Sequence, residues 1–314
     1  MKIAILEPLG VPAEDLRMLA KPYLSSDDEL KITEQTLETV TEQADFAGGA
    51  EAVIIANGAF EREIIEKLPD LKFVGVAFTG FDHVDLNACR ERDITVSNCA
   101  GYATSSVADL TFGLAIGLLR ELKAADGLTR EQKTKEGLRQ TELAGLTFGV
   151  VGMGSIGRKV AQIAQAFDCH VIGFNRSPFE MQDVEQVSLE TLLQESDIVS
   201  LHVPLTDETR GLIAAEELAM MKDSAILINT ARGPVADSHA LAEALSEGRI
   251  RGAGLDVFDT EPPVLADDPL LHAPNTLLAP HIGFASEQAL VKRAKMTYEN
   301  LAAWRKGEPQ NEVT

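Results

Sequence analysis

Cysteine is scarce: Cys89, Cys99 and Cys169 are the only three among 314 residues. An odd number, set in apolar or strand-like contexts, argues against a disulfide framework and fits a reducing compartment, with the thiols serving as small buried hydrophobes. Basic residues are also outnumbered. Lysine and arginine total 28 against 49 acidic residues, a formal net charge of -21 and a pI near 4.7. Such a field repels polyanions, which excludes nucleic acid and anionic membrane surfaces as partners. An anionic substrate would have to be held by local arginines. No apolar run approaches the roughly 20 residues of a membrane span. The opening MKIAILEPLG carries one lysine and a run from Ile3 to Leu6 that is too short for a signal peptide. A cytoplasmic protein is expected. No metal site, internal repeat or low-complexity segment is apparent.

What the chain does contain is glycine in one particular arrangement. Leu146 to Val151 is a short apolar run without polar alternation, as expected of a parallel strand buried on both faces. Gly152-Met153-Gly154-Ser155-Ile156-Gly157 follows and fills the G-x-G-x-x-G pattern. In that pattern the first glycine permits a tight turn, the second lets the backbone approach a pyrophosphate, and the third lets the next helix pack closely on the strand. The helix begins near Ser155, with Ile156, Val160, Ile163, Ala164 and Phe167 at helical spacing. Its N-terminal amides and dipole would face the phosphates. A second strand, Cys169 to Phe174, ends where an adenosine ribose should lie. Glycine-rich turns also occur for packing alone, but the flanking strand, helix and strand favour a dinucleotide site.

At this length two domains are comfortable, and βα alternation runs through both halves. Lys2 to Leu6, Ala52 to Ala56, Leu71 to Ala77 and Ile94 to Ser97 read as strands, with helices at Glu61 to Leu68 (stopped by Pro69) and Val84 to Arg92. The loop Phe78-Thr79-Gly80-Phe81-Asp82 follows a buried strand directly, where ligands sit in open parallel sheets. Thr104 to Leu122 reads as a long apolar helix between layers, and Ala125 to Thr141 as an exposed polar arm. After the fingerprint, strands are expected at Asp197 to Val203, Ala225 to Asn229, Gly252 to Phe258 and Thr276 to Ala279, separated by helices at Ala214 to Met221 and Ser238 to Ser246. A final amphipathic helix runs from Ser286 to Trp304. The fold class is therefore α/β, with two Rossmann-like, doubly wound parallel sheets and an active site in the cleft between them.

Three ionisable residues stand just after strands on the edge where a nicotinamide would lie: Arg232 in NTARGP, Glu261 in LDVFDTEPP and His281 in APHIGF. Arg232 offers a planar fork that suits a carboxylate. His281 can carry a proton near neutral pH, and a carboxylate such as Glu261 would hold one ring nitrogen and favour the charged form. Singly, each is as well explained by an ion pair or a solvated loop. Jointly, on successive strand ends of a dinucleotide domain, they point to hydride-transfer chemistry.

The stretches TGFDHVDLNACRERDITVSNCAGYATSSVADLTFGL, DIVSLHVPLTDETRGLI, NTARGPVADSHALAEALSEGRIRGAGLDVFDTEPP and NTLLAPHIGF resemble the D-isomer-specific 2-hydroxyacid dehydrogenase family, and the likeness covers nearly the whole chain from about Val74 onward. It implies a catalytic Arg232, Glu261 and His281, with His281 protonating the keto oxygen as hydride arrives and Arg232 gripping the substrate carboxylate. It also implies substrate contacts from Phe78, Thr79 and Gly80, a nicotinamide carboxamide near Asp256, and a cofactor lining of His202, Val203, Pro204, Thr209, Thr230, Ala231 and Gly283. A substrate domain of residues 1–100 plus 285–314, a dinucleotide domain of 101–284, and a homodimer formed through the latter complete the implied picture.

Two departures matter. NAD-dependent members carry aspartate after the second strand, whereas this chain has Asn175-Arg176-Ser177, an arrangement that can admit the 2'-phosphate of NADP(H), with NAD(H) still possible. Phe284 stands where smaller residues are common. The expected function is a glyoxylate or hydroxypyruvate reductase-like enzyme. The alternatives are a phosphoglycerate dehydrogenase, which needs cations absent from Val76 to Asp82, and a non-catalytic NAD(H)-sensing protein on the same fold, as the C-terminal binding proteins are.

Overall fold

The computed structural model describes all residues, 1–314. It divides into two compact units, Met1–Ala103 with Ala285–Thr314, and Thr104–Phe284. In the first unit β1 (Lys2–Ile5), β2 (Glu29–Ile32), β3 (Ala52–Ile55), β4 (Phe73–Val76) and β5 (Thr95–Ser97) alternate with α1 (Ala13–Ala20), α2 (Val40–Ala47), α3 (Arg62–Glu66) and α4 (Leu86–Glu91). The strands form one sheet in the order β2-β1-β3-β4-β5, parallel throughout. β3 and β4 are buried at every residue, which is why AVII and FVGV carry no polar alternation. β2, ELKI, lies at the sheet edge with alternating exposure. The sequence pattern does not announce that edge strand, because its polar residues mask a strand that has only one neighbour.

The second unit opens on α5 (Thr104–Leu119), eight of whose residues are buried, and α6 (Leu122–Arg130). From Ala125 the sequence predicts an exposed polar arm. It is exposed, but its first part is helical, held by Arg130 Nε on Asp126 Oδ2 at 2.6 Å and by Thr129 Oγ1 on the Ala125 carbonyl at 2.9 Å. No α6 residue is buried, although Leu122, Ala125 and Leu128 share one side of the helix.

The strands β6 (Thr147–Val151), β7 (His170–Phe174), β8 (Glu185–Gln186), β9 (Ile198–Leu201), β10 (Ile226–Asn229), β11 (Gly252–Leu255) and β12 (Thr276–Leu278) follow, interleaved with α7 (Ser155–Ala166), α8 (Leu189–Glu195), α9 (Ala215–Met220) and α10 (Ser238–Ser246). Their spatial order is β12-β11-β10-β9-β6-β7-β8, all parallel. The order reverses at β6, which has β7 on one side and β9 on the other. In open α/β sheets a crevice forms at that point, outside the carboxyl ends of the strands. Observed strands are shorter than the apolar runs because residues beyond the last ladder bond belong to the functional loops. Finally α11 (Glu287–Arg305) returns to the first unit, begun by the Ser286 hydroxyl accepting from the Ala289 amide. No helix is long and apolar enough to cross a membrane.

Candidate active site

At the β6 switch point the glycine turn is sterically dictated. A Cβ on Gly157 would stand 1.9 Å from the Gly152 carbonyl oxygen, so only glycine lets α7 press against the turn. A Cβ on Gly154, by contrast, would meet nothing within 4 Å. That opening faces the start of α7, whose N-terminus has no capping side chain. Ser155, Ile156 and Gly157 thus present first-turn amides, the group a pyrophosphate requires. These residues fit a dinucleotide on structural grounds.

Asn175 follows β7. Its Oδ1 accepts from the Met153 amide at 3.2 Å, inside the glycine turn, and its Nδ2 donates to the Ser177 carbonyl at 2.9 Å. Arg176 and Ser177 are exposed beside it. Arg176 contributes to holding the Glu208 carboxylate below its usual range, after hydrogen bonds from Thr206 and from Glu208's own backbone.

Across the switch point His202 receives the turn: a Cβ on Gly152 would lie 2.6 Å from the His202 carbonyl oxygen. The His202 Nε2 is 2.8 Å from Ser200 Oγ, and burial of the ring lowers its pKa to about 3, so it is neutral in the working range. Val203 is half-buried, and Pro204 accepts the Thr209 hydroxyl at 2.6 Å, which closes the loop after β9. Thr230 is buried with its hydroxyl 3.2 Å from that of Thr111 on α5.

The loop after β10 is pinned by a residue that the sequence reading passed over. Asn229, 1% exposed, donates to the Arg232 carbonyl at 3.0 Å and accepts from the Ala231 amide at 3.0 Å. Arg232 is half-buried, one arm of its guanidinium donating to the Ala231 carbonyl at 2.8 Å. Gly233 then packs so tightly that a Cβ would stand 2.0 Å from the Phe258 carbonyl carbon. The Arg232 loop is therefore seated on the loop that carries Glu261.

Glu261 Oε1 lies 2.8 Å from His281 Nδ1, and its Oε2 accepts from the Phe258 amide at 3.1 Å. Both carboxylate oxygens are thus committed, and one of them fixes the imidazole. His281 itself has φ +55°, the left-handed region that a β-carbon disfavours, at a cost of about 1–3 kcal/mol. Asp256 holds it there. The Asp256 carbonyl accepts from the His281 amide at 2.8 Å, and its two carboxylate oxygens accept from the amides of Ile282 and Gly283, each at 2.8 Å. Asp256 is 1% exposed, and burial raises its pKa against the opposing pull of those amides and of His281. Asp256 thus anchors the His281 loop. Phe284 sets its ring edge-on to the imidazole, with centroids 5.6 Å apart. The ring is oriented through Nδ1, while Nε2 has no protein partner and is available for proton exchange.

In the first unit Phe78, Thr79 and Gly80 lie beyond β4 on its carboxyl edge. The Phe78 carbonyl accepts from the Cys99 amide at 2.9 Å, and the Thr79 carbonyl from Asn98 Nδ2 at 2.7 Å. The three cysteines carry no reactive thiolate, since burial pushes each pKa up to about 11.

Residues 112–283 match the family model described as D-isomer specific 2-hydroxyacid dehydrogenase, NAD binding domain. The chain is 37% identical to a glyoxylate reductase of Thermococcus litoralis, over 100% of this chain and 97% of that protein. It is 36% identical to a hydroxypyruvate reductase of Thermotoga maritima, over 92% and 93%. Among solved structures, an acyclic imino acid reductase (Bsp5) in complex with NADPH and D-Arg superposes with TM-score 0.90 at 30% identity, covering all of both chains.

Proposed function

From the premise that the chain belongs to the D-isomer specific 2-hydroxyacid dehydrogenase family, and is an NAD(P)-dependent oxidoreductase of small 2-hydroxy and 2-keto acids, we propose that it works as an NADPH-preferring reductase of glyoxylate or hydroxypyruvate. The observation that carries this reading is the 2.8 Å pairing of Glu261 with His281 on the carboxyl edge of a dinucleotide sheet. A reduced nicotinamide, when bound, supplies the hydride. The protein supplies the rest. His281, oriented through Nδ1, gives its Nε2 proton to the keto oxygen, and the Glu261 carboxylate stabilises the imidazolium before transfer. Arg232 takes the substrate carboxylate with the face of its fork not turned to Ala231. The amides of Thr79 and Gly80 are assigned to binding that carboxylate.

Gly152 to Gly157 would hold the cofactor, with Val203, Pro204, Thr209, Thr230, Ala231 and Gly283 lining it. Its 2'-phosphate is taken by Arg176 and Ser177. A phosphoglycerate substrate is disfavoured because Val76 to Asp82 offers no cation. The cytosol suits three free thiols. A homodimer formed through the second unit is supported by α6, which buries none of its own residues, and by Leu122, 52% exposed. Reduction of glyoxylate, hydroxypyruvate, pyruvate and longer 2-keto acids, assayed with NADPH and with NADH, tests the function. Fastest turnover of one of the two short acids with NADPH is the expected result; no turnover of any would overturn it. Light scattering at micromolar concentration checks the dimer, which a monomeric mass would exclude.

A further inference from the structure

The peptide planes of the Phe78–Gly80 loop are held from behind by a chain of buried amides. A trans peptide points its C=O and its N–H in opposite directions. The Phe78 carbonyl is bound by the Cys99 amide and the Thr79 carbonyl by Asn98 Nδ2. The N–H groups of Thr79 and Gly80, on the far side of those same planes, are therefore turned away from Asn98 and Cys99, and neither donates to a protein acceptor. Two adjacent donors that no acceptor in the chain engages are what an anion site requires. Their direction is only as fixed as Asn98 is.

Asn98 is 7% exposed and secured at three points. Its carbonyl accepts from Asn300 Nδ2 of α11 at 2.8 Å, its amide donates to the Asn311 carbonyl at 3.0 Å, and its Oδ1 accepts from the Ala100 amide at 3.4 Å. Asn300, 1% exposed, has its Oδ1 occupied by Asn311 Nδ2 at 2.9 Å. Three asparagines from β5's end, α11 and the final segment thus form a relay whose last donor points at the Thr79 carbonyl. Burying such a set has a desolvation cost that apolar residues would avoid, and a fully satisfied polar network fixes one geometry where apolar packing would not.

We propose that Asn98 and Asn300 are positioning residues that set the direction of the Thr79 and Gly80 amides toward the substrate carboxylate. This rests on the keto acid reductase reading. Because they act on carboxylate binding alone, their loss separates KM from kcat and leaves the cofactor untouched.

The test uses the full-length enzyme with NADPH. Asn98→Asp keeps the shape, removes the donor and turns a carboxylate oxygen toward the Thr79 carbonyl. Its KM for glyoxylate should rise at least about tenfold, as expected for the loss of roughly 1.4 kcal/mol of preorganised binding. Inhibition by oxalate should weaken in parallel, with the NADPH dissociation constant held within about twofold and kcat changing much less than KM. Asn300→Leu, one step removed, should show the same pattern at smaller amplitude. If Asn98→Asp does not fold, Asn98→Ala replaces it with the same expected split. Folded Asn98 variants with unchanged KM and oxalate inhibition would overturn the inference. So would a rise in KM matched by an equal loss of NADPH affinity, which is the mark of general damage. A wild type that neither turns over any keto acid nor binds oxalate would instead sink the underlying functional reading.

Discussion

His281 and Glu261 are joined Nδ1 to Oε1 at 2.8 Å, and the remaining Glu261 oxygen is held by the Phe258 amide, so the imidazole can turn only if two loops move together. As the proposed catalytic pair, the two should be non-additive under mutation. His281→Asn should lower kcat about 100- to 10,000-fold, the usual range for a positioned proton donor, with NADPH affinity nearly unchanged. Glu261→Gln should fall between wild type and that value. The double variant should be no slower than His281→Asn alone. Steady-state rates on the four proteins check this cycle; fully additive losses would show that the two side chains act independently.

Arg232→Lys should raise the KM for a keto acid by at least about tenfold, because an ammonium cannot reproduce a bidentate fork and loses roughly 1.5–3 kcal/mol of charged hydrogen bonding. The loop itself should survive, since Asn229 holds the backbone of Ala231 and Arg232 rather than the side chain. Unchanged efficiency would place the carboxylate clamp elsewhere.

His202 makes the apoprotein acid-labile. Its folded pKa, about 3, lies below the ordinary 6.5, so the unfolded chain takes up a proton that the folded chain refuses. Stability from this residue is complete above pH 6.5 and is lost as pH falls toward 3. Between about pH 7.5 and pH 5 the loss should be at most about 2 kcal/mol, since the residue keeps some solvent contact. Urea unfolding of wild type and His202→Gln at the two pH values checks it. The variant should lose less, and equal losses would mean that the ring is protonated in the folded state.

The edge of the second sheet was legible because chemistry there is concentrated in short, contiguous words: the glycine turn, NTARGP and APHIGF. Their supports were not. Nothing local shows that Asn229 will pin the backbone of Ala231 and Arg232, or that the two carboxylate oxygens of Asp256 will accept from amides 26 and 27 residues away. Asn98 and Asn300 are 202 residues apart, and their pairing exists only once α11 has docked on the first sheet. α6 is hard to read for a different reason: its apolar residues Leu122, Ala125 and Leu128 do recur at helical spacing, but the helix is short and charged residues stand between them, so it passes for an exposed polar arm.

The proposed preference for NADPH is argued from the end of β7. An aspartate there would accept the ribose hydroxyls of NAD and repel a 2'-phosphate. Asn175 removes that charge, and its amide is engaged at both ends, by the Met153 N–H and the Ser177 carbonyl. The side chain therefore shapes the turn and presents Arg176 and Ser177 outward. Arg176 already feels the Glu208 carboxylate, so its guanidinium lies in a field that NADPH must compete with. Binding should consequently weaken with salt, as exposed charges are screened within about 8 Å at physiological ionic strength. Wild type should show higher kcat/KM with NADPH than with NADH on one keto acid. Asn175→Asp combined with Arg176→Ala should reverse the order, and Arg176→Ala alone should reduce NADPH efficiency without harming NADH. Since aspartate can still accept from Met153 but cannot donate to Ser177, thermal melting of the double variant must first show that the turn survives. Equal wild-type efficiencies, or a preference for NADH, would show that the charge at this strand end does not set specificity.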